Sequence, residues 1–166
     1  MNAFRSATRL RPTRPDDLPF VTALERHPDN SSLIGQWIDE QHLAAIEGRD
    51  RWSHWIIEEA NVPAGYIISR DCRAQRAGIY IKRLLVARKE RGTGTRALGE
   101  FLDHAFDAER ADCVWLVVRN ENDRAQAVYR KLGFERFDAA GEEAERFEAV
   151  AEAPPDQCFR MRAVNA

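Results

Sequence analysis

Apolar and polar positions along this chain switch between a period near 3.6 and a period of two, and the switches mark out its elements. Leu10-Arg-Pro-Thr followed by Arg14-Pro15-Asp16-Asp17-Leu18 predicts a short strand and then a helix start. Proline and acidic residues suit the first helical turn, where backbone N–H groups are unpaired. That helix is expected to run to about Arg26 and to stop at His27-Pro28. A second helical stretch is predicted over 34–46, with Gly48 beyond its end. Strands are predicted at 52–58, 66–70 and 79–86, with turns at 61–65 and 73–78 between them.

Downstream, Ala97, Leu98, Phe101, Leu102, Ala105 and Phe106 form one helical stripe. Cys113-Val-Trp-Leu-Val-Val118 is apolar on both faces, as a central strand requires. Another helix is expected at 124–132, stopped by Gly133, and 134–137 and 158–164 read as the last two strands. The order predicts a single α/β domain over 1–166, with a mixed sheet of six to seven strands and about four helices. No internal repeat or linker interrupts it.

Composition narrows the class. The chain has 166 residues, 44% hydrophobic and 31% charged, with a net charge of −2, as expected of a globular protein with a real core. There is no basic bias toward nucleic acid, no apolar stretch near membrane-span length and no signal-peptide core. Cys72, Cys113 and Cys158 are odd in number and widely spaced, which points to structural thiols in a reducing cytoplasm. His27, His42 and His104 lack metal-ligand spacing, so no metal is expected. Segment 138–156 carries seven acids against Arg146 alone and is expected to be an acidic loop.

Candidate chemistry begins at Arg91-Gly92-Thr93-Gly94-Thr95-Arg96-Ala97. Gly92 to Ala97 formally matches the dinucleotide fingerprint G-x-G-x-x-A. A Rossmann loop, however, leaves its strand almost directly into the first glycine, whereas residues 87–91 intervene here. Only 69 residues follow Ala97, too few for a doubly wound sheet begun at residue 79. No Gly-Lys-Ser/Thr is present for a Walker loop. A phosphate cradle fits better, because N–H groups at a helix start bind phosphate oxygens and glycine allows close approach. Six bases (Lys82, Arg83, Arg88, Lys89, Arg91 and Arg96) stand against Glu90 in this stretch.

Two ordered motifs give the chain a family resemblance. The stretch Val86 to Arg96 is similar to the strand-plus-R/Q-x-x-G-x-G/A loop of the GCN5-related N-acetyltransferases. The final small residue of that loop is replaced by Arg96. The form R-G-x-G-x-x-A-L, Arg91 to Leu98, resembles the branch containing ribosomal-protein N-terminal acetyltransferases. Asn122-Asp-Arg-Ala125-Gln-Ala-Val-Tyr129-Arg-Lys-Leu-Gly133-Phe134 resembles the family's N-x-x-A-x-x-x-Y-x-x-x-G-F, with every marked position filled.

The resemblance implies a GNAT-type sheet splayed between strands 79–86 and 113–118, with acetyl-CoA as cosubstrate and no metal. Backbone groups of Leu84, Leu85 and Val86 would hold the pantetheine arm, and those of Arg91, Gly92, Thr93, Gly94, Thr95 and Arg96 the pyrophosphate. Asn122 and Ala125 would contact the cofactor, although Asn122 also suits a plain helix cap. Tyr129 would protonate the leaving thiolate as general acid, with core packing as its alternative. For the base that deprotonates the amine, Glu121, Glu58, His54 and a water chain all stand open. The implied reaction is direct attack by an amine in a ternary complex, in a monomer or homodimer. The acceptor side would be flanked by the two N-terminal helices and the acidic segment, which would attract a cationic amine. A non-catalytic acyl-CoA sensor on the same fold is the alternative function.

Overall fold

The computed structural model describes residues 7–32, 34–89 and 91–166. Its elements follow the order β1 (Thr8–Pro12), α1 (Leu18–Arg26), α2 (Pro28–Ser31), α3 (Asp39–Ile46), β2 (Trp52–Glu59), β3 (Val62–Asp71), β4 (Ile79–Val86), α4 (Thr93–Asp103), β5 (Cys113–Arg119), α5 (Asp123–Lys131), β6 (Glu135–Phe137), α6 (Gly141–Val150) and β7 (Cys158–Val164). Seven strands form one mixed sheet in the order β1-β2-β3-β4-β5-β7-β6. The chain divides into two compact units, Met1–Ser69 with Arg83–Glu100 and Arg70–Lys82 with Phe101–Ala166.

In the first unit, β1 runs antiparallel to β2 from Thr8↔Glu59 to Pro12↔Trp55. Alternation along β2 puts His54, Ile56 and Glu58 on one face and Trp55, Ile57 and Glu59 on the other. The first face packs on α1, where Val21 and Leu24 join Ile56, Tyr66, Ile68 and Leu85 in a buried cluster. A 3-10 turn at Pro15–Asp17 precedes α1, whose buried stripe is Val21, Leu24 and Glu25. An acid on a core stripe is the first sign that this core is not purely apolar.

The hairpin from β2 to β3 turns on Ala60 and Asn61, with φ of 50° and 65°. Two consecutive positive φ values make the tight two-residue turn that matches strand twist. The turn expected at 61–65 is therefore shorter, and Pro63 and Gly65 lie within β3. Gly65 marks close strand packing instead, since a Cβ there would stand 2.2 Å from the Leu85 carbonyl oxygen.

The helix expected over 34–46 begins only at Asp39. The Ile38 N–H donates to Gln41 Oε1 at 3.0 Å, and the Trp37 N–H donates to Glu25 Oε2 at 3.3 Å. These bonds satisfy the backbone outside a helix, and the chain enters α3 from an extended Ile38. Pro28, expected as a stop, opens the short helix α2, as its fixed φ allows.

In the second unit, β5 pairs antiparallel with β7 over seven residues, and β6 pairs with β7 from Glu135↔Arg162 to Phe137↔Arg160. The parallel ladder between β4 and β5 consists of Ile79↔Val114 and Tyr80↔Trp115, although both strands continue. The expected acidic loop 138–156 contains helix α6, which anchors Phe147 against Trp115 and Phe137 at ring distances of 4.7 and 5.2 Å. Its acids hid a stripe of Ala144, Phe147 and Val150. Glu143 and Glu148 pair with Arg162 and Arg160 of β7, and Asp138 pairs with Arg136. Much of the segment's charge is thus neutralised within its own unit.

No described helix is long and apolar enough to cross a membrane. Cys72 is buried, Cys113 and Cys158 are half-buried, and all three are free thiols. Burial pushes the Cys72 and Cys113 thiols up from their ordinary value, which makes them poor nucleophiles.

Candidate active site

The glycine loop belongs wholly to the first unit. Gly92 turns the chain at φ +74°, a left-handed conformation that favours glycine, and α4 starts at the next residue. The Arg96 N–H reaches the Gly92 carbonyl at 3.0 Å. The N–H groups of Thr93, Gly94 and Thr95 precede that first helical bond and have no carbonyl within the helix to bond. Arg88 and Arg91 are exposed beside this helix start, while Lys89 donates to Asn30 Oδ1 at 2.6 Å. Glu90 lies outside the described residues.

Arg83 and Arg96 do not face the loop's surroundings as free cations. Arg83 turns inward from β4, with 5% of its side chain exposed, and pairs with Glu25. This corrects its inclusion in the basic cluster: alternation along the strand sends Arg83 and Leu85 to the α1 face and Leu84 and Val86 to the other. Arg96 is held by three bonds within the unit, from Nη2 to Glu59 Oε1 at 2.6 Å, from Nε to Thr8 Oγ1 at 2.9 Å and from Nη1 to the Arg91 carbonyl at 3.1 Å. The buried Thr93 hydroxyl donates to the same Glu59 oxygen at 2.7 Å. The Thr93 bond, with Arg96, holds the Glu59 carboxyl below its ordinary value. Glu59 therefore braces the loop from β2.

Leu84, Leu85 and Val86 form the end of β4. The Leu85 side chain is in the core, and the Ala87 N–H donates to the Ala64 carbonyl at 2.7 Å, which ties this end to β3.

In the second unit, Asn122 is the N-cap of α5, and its side-chain oxygen accepts from the Ala125 N–H at 3.2 Å. Capping uses the oxygen and leaves the amide N–H₂ for another partner. Tyr129 lies two turns along the same helix, half-buried, with its ring 5.7 Å from Phe134. Burial pushes its phenol up to about 12, so it keeps its proton at neutral pH. Glu121 is 69% exposed, 3.8 Å from Arg119 Nη1. Glu58 of β2 is tied to Arg9 at 3.2 Å and Arg11 at 3.4 Å.

A network that the sequence reading missed fills the α1 face of the first unit. Glu25 Oε1 accepts from the Tyr66 hydroxyl at 2.7 Å and from Arg83 Nη1. His42 Nε2 stands 3.1 Å from the same oxygen, too oblique for a hydrogen bond. His42 Nδ1 shares a proton with His54 Nε2 at 3.1 Å, and His54 Nδ1 does so with Thr13 Oγ1 at 2.7 Å. Burial, with His42 beside it, pushes the His54 imidazole down to about 3, so it is neutral across the working range. Burial alone would raise the Glu25 carboxyl, but His42, Tyr66 and Arg83 together bring it below its ordinary value. The available signals were Glu25 on a stripe with Val21 and Leu24, and His54 alternating with Ile56. Among the described residues no group of three His, Cys, Asp or Glu side chains could hold a metal ion.

The model of the acetyltransferase (GNAT) family matches residues 14–134. The spermidine N(1)-acetyltransferase of Escherichia coli (strain K12) is 26% identical over 142 residues, 77% of this chain and 73% of that protein. The N-alpha-acetyltransferase RimI of Mycobacterium tuberculosis is 50% identical over 46 residues, 28% of this chain and 27% of that protein. The structure of the aminoglycoside acetyltransferase AAC(6')-Ib in complex with coenzyme A superposes with a TM-score of 0.76 at 18% identity, covering 95% of each chain. A mutant spermidine N-acetyltransferase SpeG from Vibrio cholerae gives 0.71 at 16%, covering 97% of this chain and 95% of that one. The chain belongs to the acetyltransferase (GNAT) family, and it is an acetyl-CoA-dependent N-acetyltransferase.

Proposed function

We propose that the enzyme acetylates the primary amine of a small molecule by direct attack within a ternary complex, and that 1–166 is one catalytic domain. One observation carries the reading: a single family match runs from residue 14 to 134 and includes both the Gly92 helix start and the Asn122–Tyr129 helix. The donor set fits acetyl-CoA. A left-handed Gly92, unbonded first-turn N–H groups of α4 and the exposed Arg88 and Arg91 suit a pyrophosphate. When bound, acetyl-CoA supplies an activated thioester.

The protein's own groups then have distinct tasks. The N–H groups from Arg91 to Arg96 hold phosphate oxygens, and Arg96 shapes the loop through Glu59. The backbone of Leu84, Leu85 and Val86 orients the arm, with an N–H near Leu84 polarising the acetyl carbonyl. The Asn122 amide N–H₂ and the start of α5 at Ala125 bind the cosubstrate. Tyr129, protonated and half-buried, donates its proton to the leaving thiolate, a role worth roughly 10²–10⁴-fold. Of the candidate bases, Glu58 is engaged by two arginines and both ring nitrogens of His54 are occupied. Glu121 remains as a solvated carboxylate that can take the amine's proton through water.

The relatives named above act on a polyamine and an aminoglycoside by their names, which supports a small amine as acceptor. The local match to RimI supports a second reading, a peptide N-terminus, in keeping with the ribosomal-protein branch. A CoA-release screen over simple amines, polyamines, aminoglycosides and short peptides separates them. Tyr129→Phe is expected to keep CoA affinity while turnover drops by at least about tenfold. CoA binding with no release on any acceptor would favour the sensor instead.

A further inference from the structure

We infer that Gln126 is a positioning residue for the cosubstrate: by clamping the turn between β5 and α5, it fixes the direction in which Asn122 presents its amide N–H₂ to acetyl-CoA. This rests on the reading above in which Asn122 contacts the cosubstrate. Gln126 itself occupies an unmarked position of the Asn122–Phe134 motif, directly after Ala125.

Gln126 is the buried residue of α5, at 6% exposure. A buried amide is costly unless it is bonded, and this one is bonded at both ends. Its Nε2 donates to the Arg119 and Asn120 carbonyls, each at 3.0 Å, and its Oε1 accepts from Arg130 Nη2 at 3.3 Å. An amide nitrogen carries two N–H donors, so both are spent on those carbonyls. Successive carbonyls of an extended strand point to opposite sides. Two neighbouring carbonyls that reach one nitrogen therefore mark the place where the chain leaves β5 and bends.

Helix geometry explains why residue 126 supplies that nitrogen. Side chains on a helix tilt toward its N-terminus, so a residue one turn into α5 covers the turn before it. Asn122 lies inside the clamped bend. Its N–H donates to the same Arg119 carbonyl at 3.1 Å, and its own carbonyl accepts from the Gln126 N–H at 3.1 Å. Asn122 has φ −85° and ψ 70°, away from the extended backbone usual for an N-cap. These neighbours, and not the common cap geometry, set its direction. Across the bend, the Asn120 N–H donates to the Gln157 carbonyl at 2.9 Å, which anchors the turn ahead of β7. Every residue of the arrangement belongs to the second unit. Without the clamp, Asn122 keeps its amide and loses its aim. An amide that holds the cosubstrate equally before and during reaction acts on KM and leaves kcat alone.

The test is a double-mutant cycle read by CoA titration of the full chain: wild type, Asn122→Ala, Gln126→Met and the double variant. Gln126→Met is expected to raise the CoA Kd by roughly five- to tenfold. In the Asn122→Ala background the same change is expected to alter Kd by no more than about twofold, because the group it aims is already gone. In turnover with the amine that releases CoA fastest, the KM for acetyl-CoA should rise by the same factor, with kcat within about twofold. Gln126→Asn keeps an amide but is one methylene too short to span the same gap, so it decides the matter even where Gln126→Met fails to fold. Wild-type CoA affinity in a folded Gln126 variant overturns the inference. So does a loss that persists undiminished in the Asn122→Ala background, or one that appears in kcat alone. Each of these leaves Asn122 as a cosubstrate contact, whereas unchanged CoA affinity in Asn122→Ala removes that contact and the inference with it.

Discussion

The two faces of β2 solve the same problem in opposite ways. Each face meets an arginine–glutamate pair. On the α1 side Glu25 and Arg83 are 2% and 5% exposed, with His42, His54 and Tyr66 packed around them. On the α4 side Glu59 and Arg96 are 22% and 46% exposed, with water within reach. Removing charges from water costs several kcal/mol per ion, so the buried pair persists only because its partners satisfy one another. The exposed pair has little stability to contribute and is free to serve the shape of the loop. Identical residue types thus act as a structural lock on one face and as a loop brace on the other.

Breaking the buried pair should have the largest effect. Glu25→Gln leaves Arg83 uncompensated and is expected to destabilise by about 3–5 kcal/mol, read from the urea midpoint. Replacing both partners, with Glu25→Leu and Arg83→Met together, should recover much of that loss. A single variant within about 1 kcal/mol of wild type would erase the contrast between the faces.

Next in size is the pH limb. His54 has an ordinary value of 6.5 and about 3 when folded, so between these values the unfolded chain binds the extra proton. Stability should therefore fall as pH drops from about 6.5 toward 3. Glu25 acts in the same direction lower down, since the contribution of a carboxyl held below its ordinary value is lost as pH falls through its folded value. Thermal melts across this range check the slope, and His54→Gln should flatten its upper part.

The smallest effects sharpen the other face. Arg96→Ala and Glu59→Gln should each change stability by no more than about 1 kcal/mol. Both should weaken acetyl-CoA binding in the same direction, by a few-fold in a titration, because both release the loop. If Arg96 instead touched phosphate directly, Glu59→Gln would free it and tighten binding.

Legibility followed the range of the interactions. Strands Ile79–Val86 and Cys113–Arg119 and the helix Asp123–Lys131 could be read closely, because period and the Gly133 stop act locally. The Asn122 cap was also legible, since an Asn three residues before the bonded N–H is a local signal. Helix α6 was missed because seven acids outweighed three apolar positions. The start of α3 was misplaced because Glu25, 12 residues upstream, takes the Trp37 N–H. Arg83 was counted with the phosphate-facing bases because its partner lies 58 residues away on α1.

By itself the sequence determined the class of element at most positions, the glycine loop and the Asn122–Tyr129 motif, whose family resemblance implied the acetyl-CoA chemistry. These depend on φ preferences, periodicity and short spacing, which neighbouring residues dictate. Only the tertiary structure decided what each arginine does. A side chain's role depends on its burial and on which carboxylate the fold brings beside it, and those partners come from distant segments that no local pattern connects.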